Sequence, residues 1–211
     1  MVIGIVRAAA RRRLELAALA GFAAMALLAA ATARAQDAAK DVADKAQICA
    51  GCHGDKGVPI DANTPGIWGQ QTGYLYLQLR DLKSGARKSE IMSPVAQTLE
   101  RDDMLALAEL FSKKPWPDLG QPAAPADVAV QAARVNNSIG CTGCHQGEYQ
   151  GDGTQPRLAG QRREYLDRSM LAFRDGTRGN NPGMSDLMKT ASKQDIAAMA
   201  QYLAGALTAR Q

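Results

Sequence analysis

The chain has 211 residues, of which 22% are charged and 5% aromatic, and a formal net charge of +4. That excess lies entirely in the first 35 residues, because positions 36–211 carry 20 basic and 20 acidic side chains. A balanced mature chain gives no electrostatic footing for a nucleic-acid partner.

The predicted elements begin with a leader. Arg7 and Arg11 to Arg13 form a basic start, Leu16 to Ala31 is apolar, and Ala33-Arg34-Ala35 offers an A-x-A cleavage site before Gln36. The apolar run of about 16 residues is shorter than the roughly 20 that a spanning helix needs. Residues 1–35 therefore read as a secretory signal peptide. A helix over 37–50 follows and leads into Cys49-Ala50-Gly51-Cys52-His53. A second is expected over 70–84, where Tyr74, Leu75, Leu79 and Leu82 fall near one face, and a third over 101–113. Between them Met92 is expected in a loop, Ser89-Glu90-Ile91-Met92-Ser93-Pro94.

Residues 115–125 hold four prolines, which forbid a helix and predict an extended, semi-rigid connector. The pattern then repeats. A helix over 126–139 leads into Cys141-Thr142-Gly143-Cys144-His145, and helices are expected over 161–175 and 193–206. Ser192 with Asp195 is a capping pattern for the last, and Gly205 lies near its end. Met184 is expected in a loop, Asn180-Asn181-Pro182-Gly183-Met184-Ser185, with Met188 as a nearby competitor. Met104, Met170 and Met199 read as helix packing.

The two halves are copies. Cys49, Cys52 and His53 recur at an offset of 92, and Pro65 to Gln70 recurs as Pro156 to Gln161 at an offset of 91. Tyr74-Leu75 matches Tyr165-Leu166, and Met92 matches Met184. Each copy is small for an independent core, so a bound apolar group would supply much of its interior.

C-x-x-C-H is the attachment pattern of a c-type haem, with two thioethers and an adjacent histidine under the iron. Two such motifs use all four cysteines and both histidines. A four-thiolate zinc site is disfavoured because Cys52 and Cys141 are 89 positions apart and zinc does not need the trailing histidines. A redox dithiol is disfavoured because no strand precedes either motif. With both histidines committed, the second axial position falls to methionine, another weak ligand or an open site. Met92 and Met184 each lie 39 residues after their motif histidine, which singles them out. A thioether favours ferrous iron and raises the potential relative to a more basic ligand.

This order of helix, C-x-x-C-H, Gly-Gln before a central helix, methionine and amphipathic closing helix resembles a class I cytochrome c domain. Two in tandem behind a secretory leader resemble the diheme cytochromes of the c4 type. The resemblance implies an all-α fold with domains at 36–114 and 126–211 and a linker at 115–125. It implies two covalently attached haem c groups, held through Cys49, Cys52, Cys141 and Cys144. His53 with Met92, and His145 with Met184, would be the axial ligands. Trp68, Tyr74 and Tyr165 would lie at a haem edge or in the core. The expected role is that of a periplasmic electron carrier. It would run from a quinol–cytochrome c reductase type donor to a terminal oxidase or reductase. The alternative is a cytochrome subunit of a periplasmic dehydrogenase complex. A haem enzyme is disfavoured, since no histidine remains for acid–base work. Peripheral membrane association stays open.

Overall fold

The computed structural model describes residues 40–206 and the isolated positions 25, 32 and 36. The leader and cleavage site expected over residues 1–35 lie outside the described stretch. Backbone packing separates Met1–Asp44 from a compact unit, Lys45–Gln211. Helix α1 runs over 40–53. It is followed by α2 Thr72–Ser84, α3 Met92–Gln97, α4 Arg101–Ser112, α5 Ala126–Ile139, α6 Cys141–His145, α7 Arg163–Arg174, α8 Pro182–Thr190 and α9 Lys193–Ala204. Among the described residues the only extended pairing is an isolated bridge between Asp152 and Gln155, so the fold is all-α. No described helix is long and apolar enough to cross a membrane.

Helix packing follows the duplication. In the first half α2 packs against α3 and α4; in the second α9 packs against α5 and α7, and α7 against α8. The closing helices bury the stripe expected from their spacing: Met104, Leu107, Ala108 and Phe111 on α4, and Ile196, Met199, Ala200 and Leu203 on α9. The α9 cap also forms as expected, with Ser192 Oγ accepting from Asp195 N at 3.1 Å and Ser192 N donating to the Asp195 carboxylate at 3.2 Å.

One expectation needs correcting. Met92 and Met184 are not in loops: Met92 opens α3 and Met184 is the third residue of α8. Pro182 presets the first turn of α8, and Asn181 caps it by accepting from Met184 N at 3.1 Å. Ser89 Oγ accepts from Met92 N at 3.1 Å and starts α3 in the same way. Helices of 6 and 9 residues are too short to announce themselves by periodicity. The connector is helix-free, as its prolines require, yet it is packed rather than merely spanning. Leu119 is buried, and Trp116 lies against Gly66 and Gly69 and under Arg157, 4.8 Å from the guanidinium carbon to the ring centre.

The copies differ at the entry to the motif. Gly140 takes φ +80°, which ends α5 and lets the second motif form its own short helix, α6. The equivalent position in the first copy is Ile48, whose branched side chain disfavours that conformation, and α1 runs on through His53.

Side chains from both halves meet at a polar junction. Arg178 Nη2 donates to Gln78 Oε1 at 2.8 Å, Arg87 Nη1 to the same oxygen at 2.9 Å, and Arg87 Nη2 to the Tyr165 hydroxyl at 3.2 Å. Asn180 Nδ2 donates to the buried Asp81 carboxylate at 2.8 Å. Burial pushes the Tyr165 phenol up, but the facing Arg87 and Arg178 outweigh it and hold it below the ordinary tyrosine value. The glutamines Gln70 and Gln161 cross the same junction, each bonded to the backbone of the opposite half.

Leu107 is 1% exposed on α4, so Leu107→Ala should cost about 2–5 kcal/mol. Val130→Ala, at a 52% exposed position, should change stability by less than about 0.5 kcal/mol. Denaturant unfolding of the two variants checks the contrast.

Candidate haem sites

The second half gathers its candidate residues around one cleft. Cys141, Cys144, His145 and Met184 all line it, with walls of Val135, Ile139, Leu158, Leu187, Met188 and Ile196. It encloses ≈ 950 Å³ of space, its solvent mouth included. α6 presents the two thiols with Cys141 half-buried and Cys144 exposed, while His145 turns inward and is only 4% exposed.

One hydrogen bond fixes that imidazole. His145 Nδ1 lies 2.9 Å from the Pro156 carbonyl. A carbonyl only accepts, so Nδ1 carries the proton and Nε2 carries the lone pair. Nε2 is buried and has no hydrogen-bond partner. An unsatisfied buried nitrogen in an apolar cleft is costly unless a ligand meets it. Burial lowers the His145 pKa, against a smaller opposing pull from the Pro156 carbonyl, and so favours the neutral, ligating form. An orphaned lone pair, apolar walls and two thiols at the mouth fit a flat apolar macrocycle with a central iron. Haem c is such a group.

The first half repeats the histidine anchor and the placement of the two thiols. His53 is buried, and its Nδ1 lies 2.8 Å from the Pro65 carbonyl. Burial lowers its pKa, opposed by the Pro65 carbonyl and by Asp61. Cys49 is half-buried and Cys52 exposed at the end of α1. Gly54, at φ +85°, folds the next loop back, and Ile60 N donates to the Cys52 carbonyl at 3.1 Å. Met92 is half-buried on α3, which packs against α2. Its pairing with His53 rests on the repeat relation, whereas Met184 shares a cleft with His145.

Other cysteine chemistry finds no footing. Burial raises the Cys49 and Cys141 thiols, the reverse of an activated dithiol. Among the described residues no three His, Cys, Asp or Glu side chains cluster to hold a metal ion. Trp68 stands under Lys114 Nζ, 4.5 Å from the ring centre, and Tyr74 and Tyr165 belong to the polar junction. The sequence did not single out the Pro65 and Pro156 carbonyls as histidine anchors. The available signal was a proline 12 and 11 residues after each motif histidine.

Comparison with known proteins agrees with this geometry. The Cytochrome c family model matches residues 129–206. The thiosulfate dehydrogenase electron acceptor of Stutzerimonas stutzeri is 35% identical over 170 residues, covering 75% of this chain and 79% of that protein. Cytochrome c4 of Azotobacter vinelandii is 31% identical over 179 residues, covering 76% and 85%. The crystal structure of reduced cytochrome c4 from Pseudomonas stutzeri superposes with a TM-score of 0.71 at 28% identity, covering 79% of this chain and 97% of that one. With two copies of the haem-attachment motif and a histidine anchored alike in each, the chain belongs to the diheme cytochromes c of the c4 type, electron carriers with two covalently attached haem c groups.

Proposed function

We propose that residues 36–114 and 126–211 are the two haem domains of a periplasmic one-electron carrier, joined by 115–125 and released from its leader near Ala35. In this reading Cys49 and Cys52, and Cys141 and Cys144, tether the haems. His53 with Met92, and His145 with Met184, hold the irons. The observation that carries it is the second-half cleft, where His145 Nε2 is left without a partner among apolar walls that include Met184. Bound haem supplies a one-electron couple whose potential its axial ligands tune. The chain's residues do the rest. The Pro65 and Pro156 carbonyls hold each imidazole in one tautomer, and the apolar walls exclude water. Met92 and Met184, as iron ligands, would keep small oxidants off the metal. With both histidines committed as ligands, no imidazole is left for acid–base work, which supports an electron-transfer role over a catalytic one.

The partners follow from this role. A quinol–cytochrome c reductase type donor and a terminal oxidase or reductase form the leading assignment. A periplasmic dehydrogenase as donor is the second reading. It is supported by the 35% identity to a protein named as the electron acceptor of thiosulfate dehydrogenase. Reductive titration followed by optical spectroscopy should give two one-electron steps, low-spin haem throughout and a sulfur-to-iron charge-transfer band in the oxidised protein. High-spin haem in the resting protein would contradict the ligand set. Stopped-flow reduction by a quinol–cytochrome c reductase and by a thiosulfate-oxidising dehydrogenase would rank the two donors.

Met184 and Met188 are separable by mutation. Both line the cleft, but Met188 is buried in the cluster with Phe173, Ala191 and Ile196, whereas Met184 is only half-buried. Met184→Ala should remove about half of the charge-transfer intensity and lower one of the two potentials. Met188→Ala should keep the band and cost about 2–5 kcal/mol of stability.

A further inference from the structure

Each motif histidine is held by a peptide group that has a second bond on its other side. The carbonyl that accepts from His53 Nδ1 at 2.8 Å belongs to Pro65, and the N–H of that same planar peptide belongs to Gly66. The Gly66 N–H donates to Gln161 Oε1 at 2.8 Å, and Gln161 Nε2 donates back to the Gly66 carbonyl at 2.9 Å. The other half mirrors this. His145 Nδ1 meets the Pro156 carbonyl at 2.9 Å. The Arg157 N–H of that peptide donates to Gln70 Oε1 at 2.7 Å, and Gln70 Nε2 donates to the Arg157 carbonyl at 2.9 Å. Both glutamines are buried, and each comes from the half opposite to the histidine it reaches.

We propose that Gln70 and Gln161 are positioning residues that act across the junction: each sets, through one shared peptide group, the hydrogen bond of the other half's axial histidine, and thereby the reduction potential of the other half's haem. This rests on the histidine ligation proposed above.

Hydrogen bonds in series polarise one another. An acceptor on the peptide N–H makes the carbonyl of the same amide more negative, so it draws harder on the imidazole Nδ1–H. The imidazole becomes a more basic ligand. A more basic axial ligand favours ferric iron and lowers the potential. The second bond of each glutamine lands on the carbonyl of the next peptide, so Gly66 and Arg157 are each held at both N–H and C=O and the neighbouring Pro65 and Pro156 carbonyls are restrained from swinging away from the ring. A glutamine that merely joined the two halves would lack this directionality, and its loss would disturb both haems alike. The relay instead predicts a crossed pattern: Gln161 governs the haem on His53, and Gln70 governs the haem on His145.

The test is potentiometric titration of the full, haem-loaded protein carrying Gln161→Met or Gln70→Met, with Met92→His used separately to identify the first haem's step. Gln161→Met should move the first haem's potential upward and leave the second in place. Gln70→Met should do the converse. Movement of the haem in the substituted half, equal movement of both, or movement of neither overturns the proposal. If a methionine variant does not load haem, Gln161→Asn and Gln70→Asn, which retract the amide by one methylene, should give smaller shifts in the same crossed pattern. Failure of the ligand set itself would appear separately, as a missing sulfur-to-iron band in the unsubstituted protein.

Discussion

A neutral imidazole donating its Nδ1 proton to a proline carbonyl is the contact around which each half is organised. It fixes the tautomer, leaves Nε2 with a lone pair, and aims the ring. The bond holds only if the carbonyl is fixed as firmly as the ring. A helix end supplies the ring: α1 carries His53 and α6 carries His145. The loop that supplies the carbonyl has no helix of its own and is held by a glutamine from across the junction. Neither half therefore completes the support of its own histidine.

The duplication explains why this works in so small a protein. A lobe of this size buries little apolar surface alone. Here each gains from a bound macrocycle and from its sister. The two copies then diverge where symmetry is not needed. Ile48 and Gly140 give one motif a continuous helix and the other a broken one. Gln78 serves as a common acceptor for Arg87 and Arg178, one from each half, and the position related to it in the second copy is Ser169. Asp81 receives Asn180 across the junction, while its counterpart, Ala172, can return no such bond. The junction is thus built from repeated glutamines, tyrosines and arginines around an asymmetric centre.

Much of this was legible in the sequence because the signals were local. The two C-x-x-C-H motifs, the closing-helix stripes and the Ser192–Asp195 cap each sit within a few residues. The repeat showed that Pro65 and Pro156, and Gln70 and Gln161, are equivalent, but not what they touch. Gly66 and Gln161 are 95 positions apart, and no periodicity reports a bond of that span. The helices holding Met92 and Met184 were missed for a related reason. They are short and are started by Ser89, Asn181 and Pro182, residues that equally well mark turns. The packing of the connector was not legible, because proline excludes a helix without saying whether Leu119 and Trp116 find partners.

The proposed haem sites require a porphyrin held in thioether linkage by each C-x-x-C-H cysteine pair. Proteolytic peptide mapping by mass spectrometry, on mature protein from a host able to attach c-type haem, tests this most directly. Two haem-bearing peptides are expected, one containing Cys49 and Cys52 and the other Cys141 and Cys144, with none of these thiols free to alkylate. Recovery of either cysteine pair as unmodified thiols or as a disulfide would contradict it.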